Sequence, residues 1–237
     1  MSRTTSNLNS NLDRPLYTWG ALLALTIVFA GFAKTYFLKT VFGTPALPAL
    51  LQAHGFVMSL WFIFFLVQVR LVALRRTDLH RRAGVFGAFI AAAVLVVGIT
   101  TALTAARLGH TPGPPPLIFL VVPLGDILVF ALLVSAGLYL RHRSDMHKRL
   151  MLLSCVGMLT AAIARTPLDF IQTGGLPMFF ALTDLVVLAC VAYDTVKQRR
   201  LHPAFGWGML LIVASQPLRL LLSGTAAWQQ FAGWLVG

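Results

Sequence analysis

Residues 54–84, HGFVMSLWFIFFLVQVRLVALRRTDLHRRAG, decide the fold class of this chain. The stretch begins as a long apolar run, passes through a short segment that concentrates Arg75, Arg76, Arg81 and Arg82, and continues into a second apolar run. Such runs lack the polar alternation of a half-buried strand and are too long for single strands. A helix needs about 20 apolar residues to cross a bilayer. The stretch therefore predicts two membrane-spanning helices joined by a positively charged turn.

The rest of the chain repeats this pattern. Of its 237 residues, 58% are hydrophobic and only 11% are charged, whereas a soluble domain carries about 25% charged residues. We predict an all-α integral membrane bundle with a single domain, residues 16–237, after a polar tail, residues 1–15. The seven predicted spans are 16–37, 48–70, 81–105, 116–139, 148–166, 176–195 and 205–225. A cleaved signal peptide is the competing interpretation of the first span, although its long apolar run and long polar lead favour a retained helix.

The distribution of positive charge predicts the orientation of the bundle. The formal net charge is +12, but the cations stand at the ends of apolar runs rather than on a basic surface, which argues against nucleic-acid binding. With a cytoplasmic N-terminus, 14 of the 19 lysines and arginines lie on the inner side, as the positive-inside rule requires. The C-terminus is then outside, with Trp228 and Trp234 as interface anchors in the lipid bilayer of a bacterial inner membrane. The five outer cations are Lys34, Lys39, Arg107, Arg165 and Arg219.

Two predicted helices begin with nearly the same sequence, TDLHRRAG at 77–84 and SDMHKRLM at 144–151. In one interpretation this is only the start of a membrane helix. Asp78 and Asp145 would then cap the helices, and the cations would reach the lipid phosphates. His202, placed before Pro203 at the start of the seventh span, supports this interpretation because proline suits the first helical turn.

The second interpretation gives the repeated histidines a ligand. A histidine in the first turn of a helix feels the positive end of the helix dipole, which favours the neutral imidazole that binds metals. If His80 and His147 face each other at the inner side of the membrane, they could bind a haem iron from both sides. The haem propionates would then contact nearby cations, for which the candidates are Arg82, Lys148 and Arg149.

A second group of polar residues is predicted in the outer half of the membrane. Ionisable residues within spans are rare, and they mark functional sites or pair with one another. They could form an ion-pair network that locks the helices together. Alternatively, they could line a cavity open to the outside, where His54 and an aspartate exchange protons or hold a metal or haem and an arginine receives an anion. Pro123, Pro167 and Pro217 would kink the helices around it. The group comprises His54, Asp126, Arg165, Asp184 and Arg219.

One helical face links this outer group to the inner side. Spacing along the second span places five residues on one face, which we predict to point into the bundle. These residues are His54, Met58, Trp61, Phe65 and Gln68.

Residues 54–84 together with DMHKRLM at 145–151 resemble a family of uncharacterised bacterial multi-span membrane proteins. In that family a histidine opens one helix, an H-R-x-x-G element opens the next, and an H-K-R or H-R element opens a later one. The resemblance covers roughly residues 54–165. The arrangement is more distantly similar to transmembrane b-type cytochromes, which implies His54, His80 and His147 as haem ligands. Those cytochromes pair histidines at each membrane face, whereas here only His110, in a loop, could partner His54.

These observations lead to three functional hypotheses. The first is a membrane electron-transfer protein that binds haem b, with His80 and His147 as the iron ligands and quinone or another redox protein as its partner. The second is a binding or transport protein that recognises a small anionic molecule in the outer cavity. The third is an assembly factor or subunit of a membrane complex. The sequence contains no motif that assigns an enzymatic reaction.

Overall fold

The computed structural model describes residues 14–111 and 113–237, and all regular secondary structure there is helical. Seven helical segments are long and apolar enough to cross a membrane, which confirms the predicted all-α bundle of seven spans. The predicted polar tail lies outside the described residues, apart from its last two positions. The helices are α1 (Arg14–Phe32, continued by a π-helical turn, Ala33–Phe37), α2 (Ala49–Ala73), α3 (Thr77–Arg107), α4 (Pro116–Phe119), α5 (Val121–Tyr139), α6 (Ser144–Val156), α7 (Thr160–Ile163), α8 (Asp169–Gln198), α9 (Pro203–Ser223) and α10 (Ala226–Val236).

The fifth span, formed by α6 and α7, lies at the centre of the bundle. Helices α1, α5, α8 and α9 pack against it, while α2 and α3 pack on each other and close the bundle between α1 and α5. In its apolar stretch 61% of the residues are buried, against 17–44% in the other six spans. At the start of α6, Arg149 is buried and His147 half-buried, whereas Ser144 and Asp145 are exposed.

The face of α2 predicted to point inward does so along most of its length. Trp61, Phe65 and Gln68 are buried, and His54 and Met58 are half-buried. The Trp61 ring packs edge-on against Phe130 of α5, with the ring centroids 5.0 Å apart. The helical spacing of these residues thus identified the packed face of α2 correctly.

The main interruption of a long helix lies at Gly175, not at the prolines that we had predicted to bend the bundle. Gly175 has φ +58° and ψ −154° inside α8 and is followed by Pro177; this backbone conformation is readily available only to glycine. Pro123 lies in the first turn of α5, where proline is tolerated, and Pro167 lies between α7 and α8. Pro217 is inside α9. The predicted sixth span, 176–195, therefore matches the part of α8 that follows the break.

Helix α10 contacts the C-terminal end of α3. The Arg107 side chain donates from Nε to the carbonyl oxygen of Val236 at 2.6 Å, and Trp228 donates from its indole nitrogen to the Leu117 carbonyl at 2.8 Å. Trp228 is buried, whereas 76% of Trp234 is exposed. Of the two predicted interface anchors, Trp228 holds α10 onto the bundle and Trp234 is free to contact lipid.

Candidate functional site

The two histidines of the repeated motif lie side by side. His80 is in the first turn of α3 and His147 is in the first turn of α6, and their ring centroids are 6.2 Å apart with the ring planes at 74°. The central position of the fifth span explains this contact, because it directs His147 inward, toward the surrounding helices. Both rings are half-buried. We call His80 and His147 the histidine pair.

The His147 ring is held in one tautomer by a backbone carbonyl. Its Nδ1 lies 2.7 Å from the oxygen of Gly137 in the last turn of α5, where helix carbonyls lack an intrahelical partner. A carbonyl oxygen can only accept, so Nδ1 carries the proton and donates it. In the neutral ring the lone pair is then on Nε2, and this nitrogen is the one that could bind a metal.

His80 has a different environment. Its Nδ1 is buried and has no hydrogen-bond partner among the described residues, and the same is true of Oε1 of Gln68. The two residues are already joined, because Gln68 Nε2 donates to the His80 backbone oxygen at 3.3 Å. The histidine pair and Gln68 therefore include two buried polar atoms without a hydrogen-bond partner, one on an imidazole and one on an amide.

The predicted helix caps are wrong at both motifs. Helix α3 begins at Thr77 and α6 at Ser144, one residue before each aspartate, and the N-cap residues Arg76 and Arg143 make no side-chain capping bond. Asp78 and Asp145 thus lie inside the first turn, where a negative charge still favours the helix dipole. Neither aspartate orients a ring of the histidine pair, since Nδ1 of His147 donates to Gly137 and Nδ1 of His80 has no hydrogen-bond partner among the described residues.

A buried ion pair that the sequence analysis missed lies directly beside His147. The Arg149 guanidinium donates from Nε and Nη2 to the two carboxylate oxygens of Asp194, at 2.9 and 2.7 Å. The exposed fractions of these side chains are 3% for Arg149 and 0% for Asp194. Nη1 of Arg149 donates to the Asp145 carbonyl at 2.9 Å. Because its guanidinium is already committed, Arg149 is a poor partner for a haem propionate, contrary to our prediction.

His202 acts as the N-cap of α9. Its Nδ1 accepts a hydrogen bond from the Ala204 backbone nitrogen at 3.2 Å, and its Nε2 lies 3.2 Å from Oδ2 of Asp145. Nδ1 is therefore unprotonated, and Nε2 carries the hydrogen that Asp145 accepts. Burial and the positive charge of Arg149 lower the pKa of His202, although Asp145 and Asp194 act in the opposite direction.

This cap predicts a loss of stability in mild acid. Protonating His202 would place a hydrogen on Nδ1 and destroy the capping bond to Ala204. Since the folded pKa is lowered, the stabilisation is complete above the unfolded value of about 6.5 and is lost as the pH falls below it. The melting temperature in detergent should fall more in the wild type than in His202→Asn between about pH 7.5 and pH 5.5, because asparagine caps helices without titrating. Equal slopes for the two proteins would contradict the role of His202.

Within the predicted outer group, Asp126 and Arg219 form a direct ion pair between α5 and α9. Nη2 of Arg219 also donates to Ser215 Oγ at 2.8 Å. Gly125 makes this geometry possible, because a Cβ at that position would lie 2.3 Å from Arg219 Nε. Arg219 is thus neutralised and fixed within the protein, which leaves it poorly suited to receive an anion from outside.

The other outer residues do not join this ion pair. Oδ1 of Asp184 accepts a hydrogen bond from Gln216 Nε2 at 2.7 Å. The Arg165 side chain is exposed, with its guanidinium 5.0 Å from the Phe32 ring centre and Nη1 donating to the Ala161 carbonyl. His54 is half-buried, and its Nδ1 has no hydrogen-bond partner among the described residues. The predicted outer group is therefore divided into the ion pair of Asp126 and Arg219, the hydrogen bond between Asp184 and Gln216, and two side chains, Arg165 and His54, that join neither.

No protein-family model, curated protein or solved structure matches this chain. A proposal for its function is therefore based on the geometry of its own residues. Among the described residues, there is no group of three or more His, Cys, Asp or Glu side chains that could hold a metal ion. The histidine pair brings together two imidazole side chains.

Proposed function

We propose that the protein is a membrane electron-transfer protein that binds haem b through His80 and His147 and exchanges electrons with quinone or another redox partner. The observation that carries this proposal is the contact between the two rings, 6.2 Å between centroids. Two imidazole–metal bonds of about 2 Å place the coordinating nitrogens about 4 Å apart. If the two Nε2 atoms face each other across the iron, adding the distance from each nitrogen to its ring centre gives a centroid separation close to the observed one.

The number of ligands favours haem over a simple metal ion. A structural zinc ion takes four protein ligands and a catalytic one takes three, and the histidine pair supplies two. A haem iron needs no more than two axial ligands from the protein, because the porphyrin supplies the other four donors. The residues present fit this role, since the Gly137 carbonyl occupies Nδ1 of His147 and leaves its Nε2 as the metal-binding nitrogen.

Bound haem would supply a one-electron redox couple whose potential is set by its ligands and their hydrogen bonds. The protein would supply the ligands of the haem and the residues around it. The Gly137 carbonyl orients the His147 ring. Arg82 and Lys148, each within two residues of a histidine of the pair, are the candidates for the propionates. Lys148 now rests 5.5 Å from the Tyr17 ring centre.

The charge distribution supports a site near the cytoplasmic face of a bacterial inner membrane. The histidine pair lies at the arginine-rich end of the bundle, where Arg75, Arg76, Arg81 and Arg82 join α2 to α3. The positive-inside rule places this end in the cytoplasm. A lipid-soluble quinone could then approach the site from the inner leaflet.

The orientation predicts opposite results for two reporter fusions. Alkaline phosphatase fused after Gly237 should be active, because it would be outside the membrane, and the same reporter inserted at Asp78 should be inactive. A green fluorescent reporter, which needs the cytoplasm, should give the reverse pattern. A cytoplasmic C-terminus would exclude the proposed orientation.

The haem proposal is tested by a visible absorption spectrum of the purified protein, oxidised and reduced. We expect the sharp bands of six-coordinate haem to appear on reduction, with one haem per chain. Cells should be supplied with a haem precursor so that haem synthesis does not limit the result. Protein that remains colourless after haem is also added in detergent would exclude haem b as its cofactor.

A further inference from the structure

Gln68 contacts His80 of the histidine pair. One polar atom of its side chain has no hydrogen-bond partner among the described residues. Gln68 lies at the inner end of α2, is 9% exposed, and makes one hydrogen bond, from Nε2 to the His80 carbonyl at 3.3 Å. That bond fixes the orientation of the amide, because the opposite orientation would place two oxygens against each other. Oε1 therefore points away from the His80 carbonyl, and it is buried without a hydrogen-bond partner among the described residues.

The unsatisfied atom on His80 is complementary to this oxygen. Nδ1 of an imidazole donates when it carries the proton, and an amide oxygen only accepts. Both atoms are buried, and buried polar groups are normally paired. Because Gln68 and His80 are already linked through the backbone, rotation of the His80 ring about its side-chain bonds could bring Nδ1 to this oxygen while the amide keeps its bond to the His80 carbonyl.

His147 shows the same arrangement already formed, with Nδ1 donating to the Gly137 carbonyl. Metal-binding histidines almost always donate their second nitrogen to an acceptor, which fixes the tautomer and makes the ligand more basic. Asp78, the acceptor expected from the sequence, is 60% exposed and pairs with Arg76 at 3.8 Å.

We infer that Gln68 is the positioning residue of His80: its side-chain oxygen accepts the Nδ1 hydrogen and leaves Nε2 as the metal-binding nitrogen. The inference rests on the proposed function, because the orientation of His80 as a metal ligand presupposes that haem is bound. Its chemistry, a glutamine that selects one tautomer of a histidine, also applies to the haem-free protein. The two claims can therefore be tested separately.

The first test is ¹⁵N NMR of histidine-labelled, haem-free protein, with the His80 signals assigned by their loss in His80→Ala. In the wild type, His80 should be in the Nδ1–H tautomer. Gln68→Met, which keeps the length of the side chain but removes its polar atoms, should give the tautomer mixture of an unrestrained imidazole. Gln68→Glu, which keeps an acceptor, should restore the Nδ1–H tautomer. Gln52→Met, on the same helix but at its outer end, is the matched control and should leave His80 unchanged.

The second test uses the haem-loaded protein. Gln68→Met should weaken haem binding by about 10- to 100-fold, as expected for loss of the partner of a metal-binding histidine, and raise the midpoint potential. Gln68→Glu should lower the potential, because a charged acceptor makes the imidazole a stronger donor to oxidised iron.

The outcomes separate the two claims. A His80 tautomer that is the same in wild type and Gln68→Met would overturn the role of Gln68, even if haem is bound. A tautomer that depends on Gln68 in a protein that binds no haem would support that role and exclude the proposed function. If Gln68→Met does not fold, Gln68→Glu decides the question: loss of the Nδ1–H tautomer in that variant would overturn the inference.

Discussion

Asp194→Ala is expected to destabilise the folded protein by about 3–5 kcal/mol, because it leaves a buried guanidinium without its carboxylate. Arg149 and Asp194 are joined by two hydrogen bonds and are 3% and 0% exposed. The alanine variant keeps the Arg149 bond to the Asp145 carbonyl, but a carbonyl dipole does not neutralise a full charge. The loss should appear as a lower free energy of unfolding in detergent, or as aggregation on purification.

Two comparisons make this prediction specific. Asp78→Ala removes an exposed carboxylate 3.8 Å from an arginine, and such surface pairs contribute about 0–1 kcal/mol. Replacing both partners, with Arg149→Met and Asp194→Leu, should recover much of the stability, since an apolar pair leaves no charge stranded. An Asp194→Ala variant as stable as Asp78→Ala would show that the ion pair does not stabilise the bundle.

His80→Ala and His147→Ala are each expected to abolish the six-coordinate haem spectrum while the protein still inserts into the membrane. Insertion depends on the apolar spans, which neither change affects. Each variant would leave one axial ligand, so residual haem should be five-coordinate and lost during purification. The measurement is the reduced-minus-oxidised spectrum per mole of protein, with membrane content determined by immunoblot.

Two other histidines serve as controls for this prediction. His142 lies in the connection before α6, five residues from His147, and is exposed, and His142→Ala should keep the spectrum. His54→Ala tests the outer half: if it removes the spectrum while His80→Ala does not, the haem ligand is His54 and the histidine pair is a structural contact.

The seven helices could be predicted because bilayer thickness fixes their length and their composition. The inward face of α2 could also be predicted, since the positions of Trp61, Phe65 and Gln68 follow helical spacing. The order in which helices pack cannot be deduced from hydropathy alone. Hydropathy therefore could not show whether His80 and His147 are in contact, because that contact depends on the central position of α6.

The ion pair of Arg149 and Asp194 was missed for a different reason. Arg149 follows His147 and Lys148, and a run of cations at a helix start is typical of a membrane surface. The sequence feature that could have indicated this ion pair is Asp194, which is one of only seven acidic residues in the chain and lies near the predicted inner end of an apolar span. The capping role of the aspartates was wrong because the helices begin at Thr77 and Ser144, two residues earlier than aspartate caps would require.

The central fifth span also has consequences for biosynthesis. Its mean hydropathy is 1.2, against 2.8 for the fourth span, so it enters the membrane with the weakest apolar signal of the seven. It carries Arg149 at its start, and the ribosome makes this residue before it makes Asp194. During translation Arg149 must therefore remain near the lipid headgroups until the next span arrives with its carboxylate. A nascent chain that ends after the fifth span has this central span without α8 and α9 packed around it. A membrane chaperone would need to protect this intermediate.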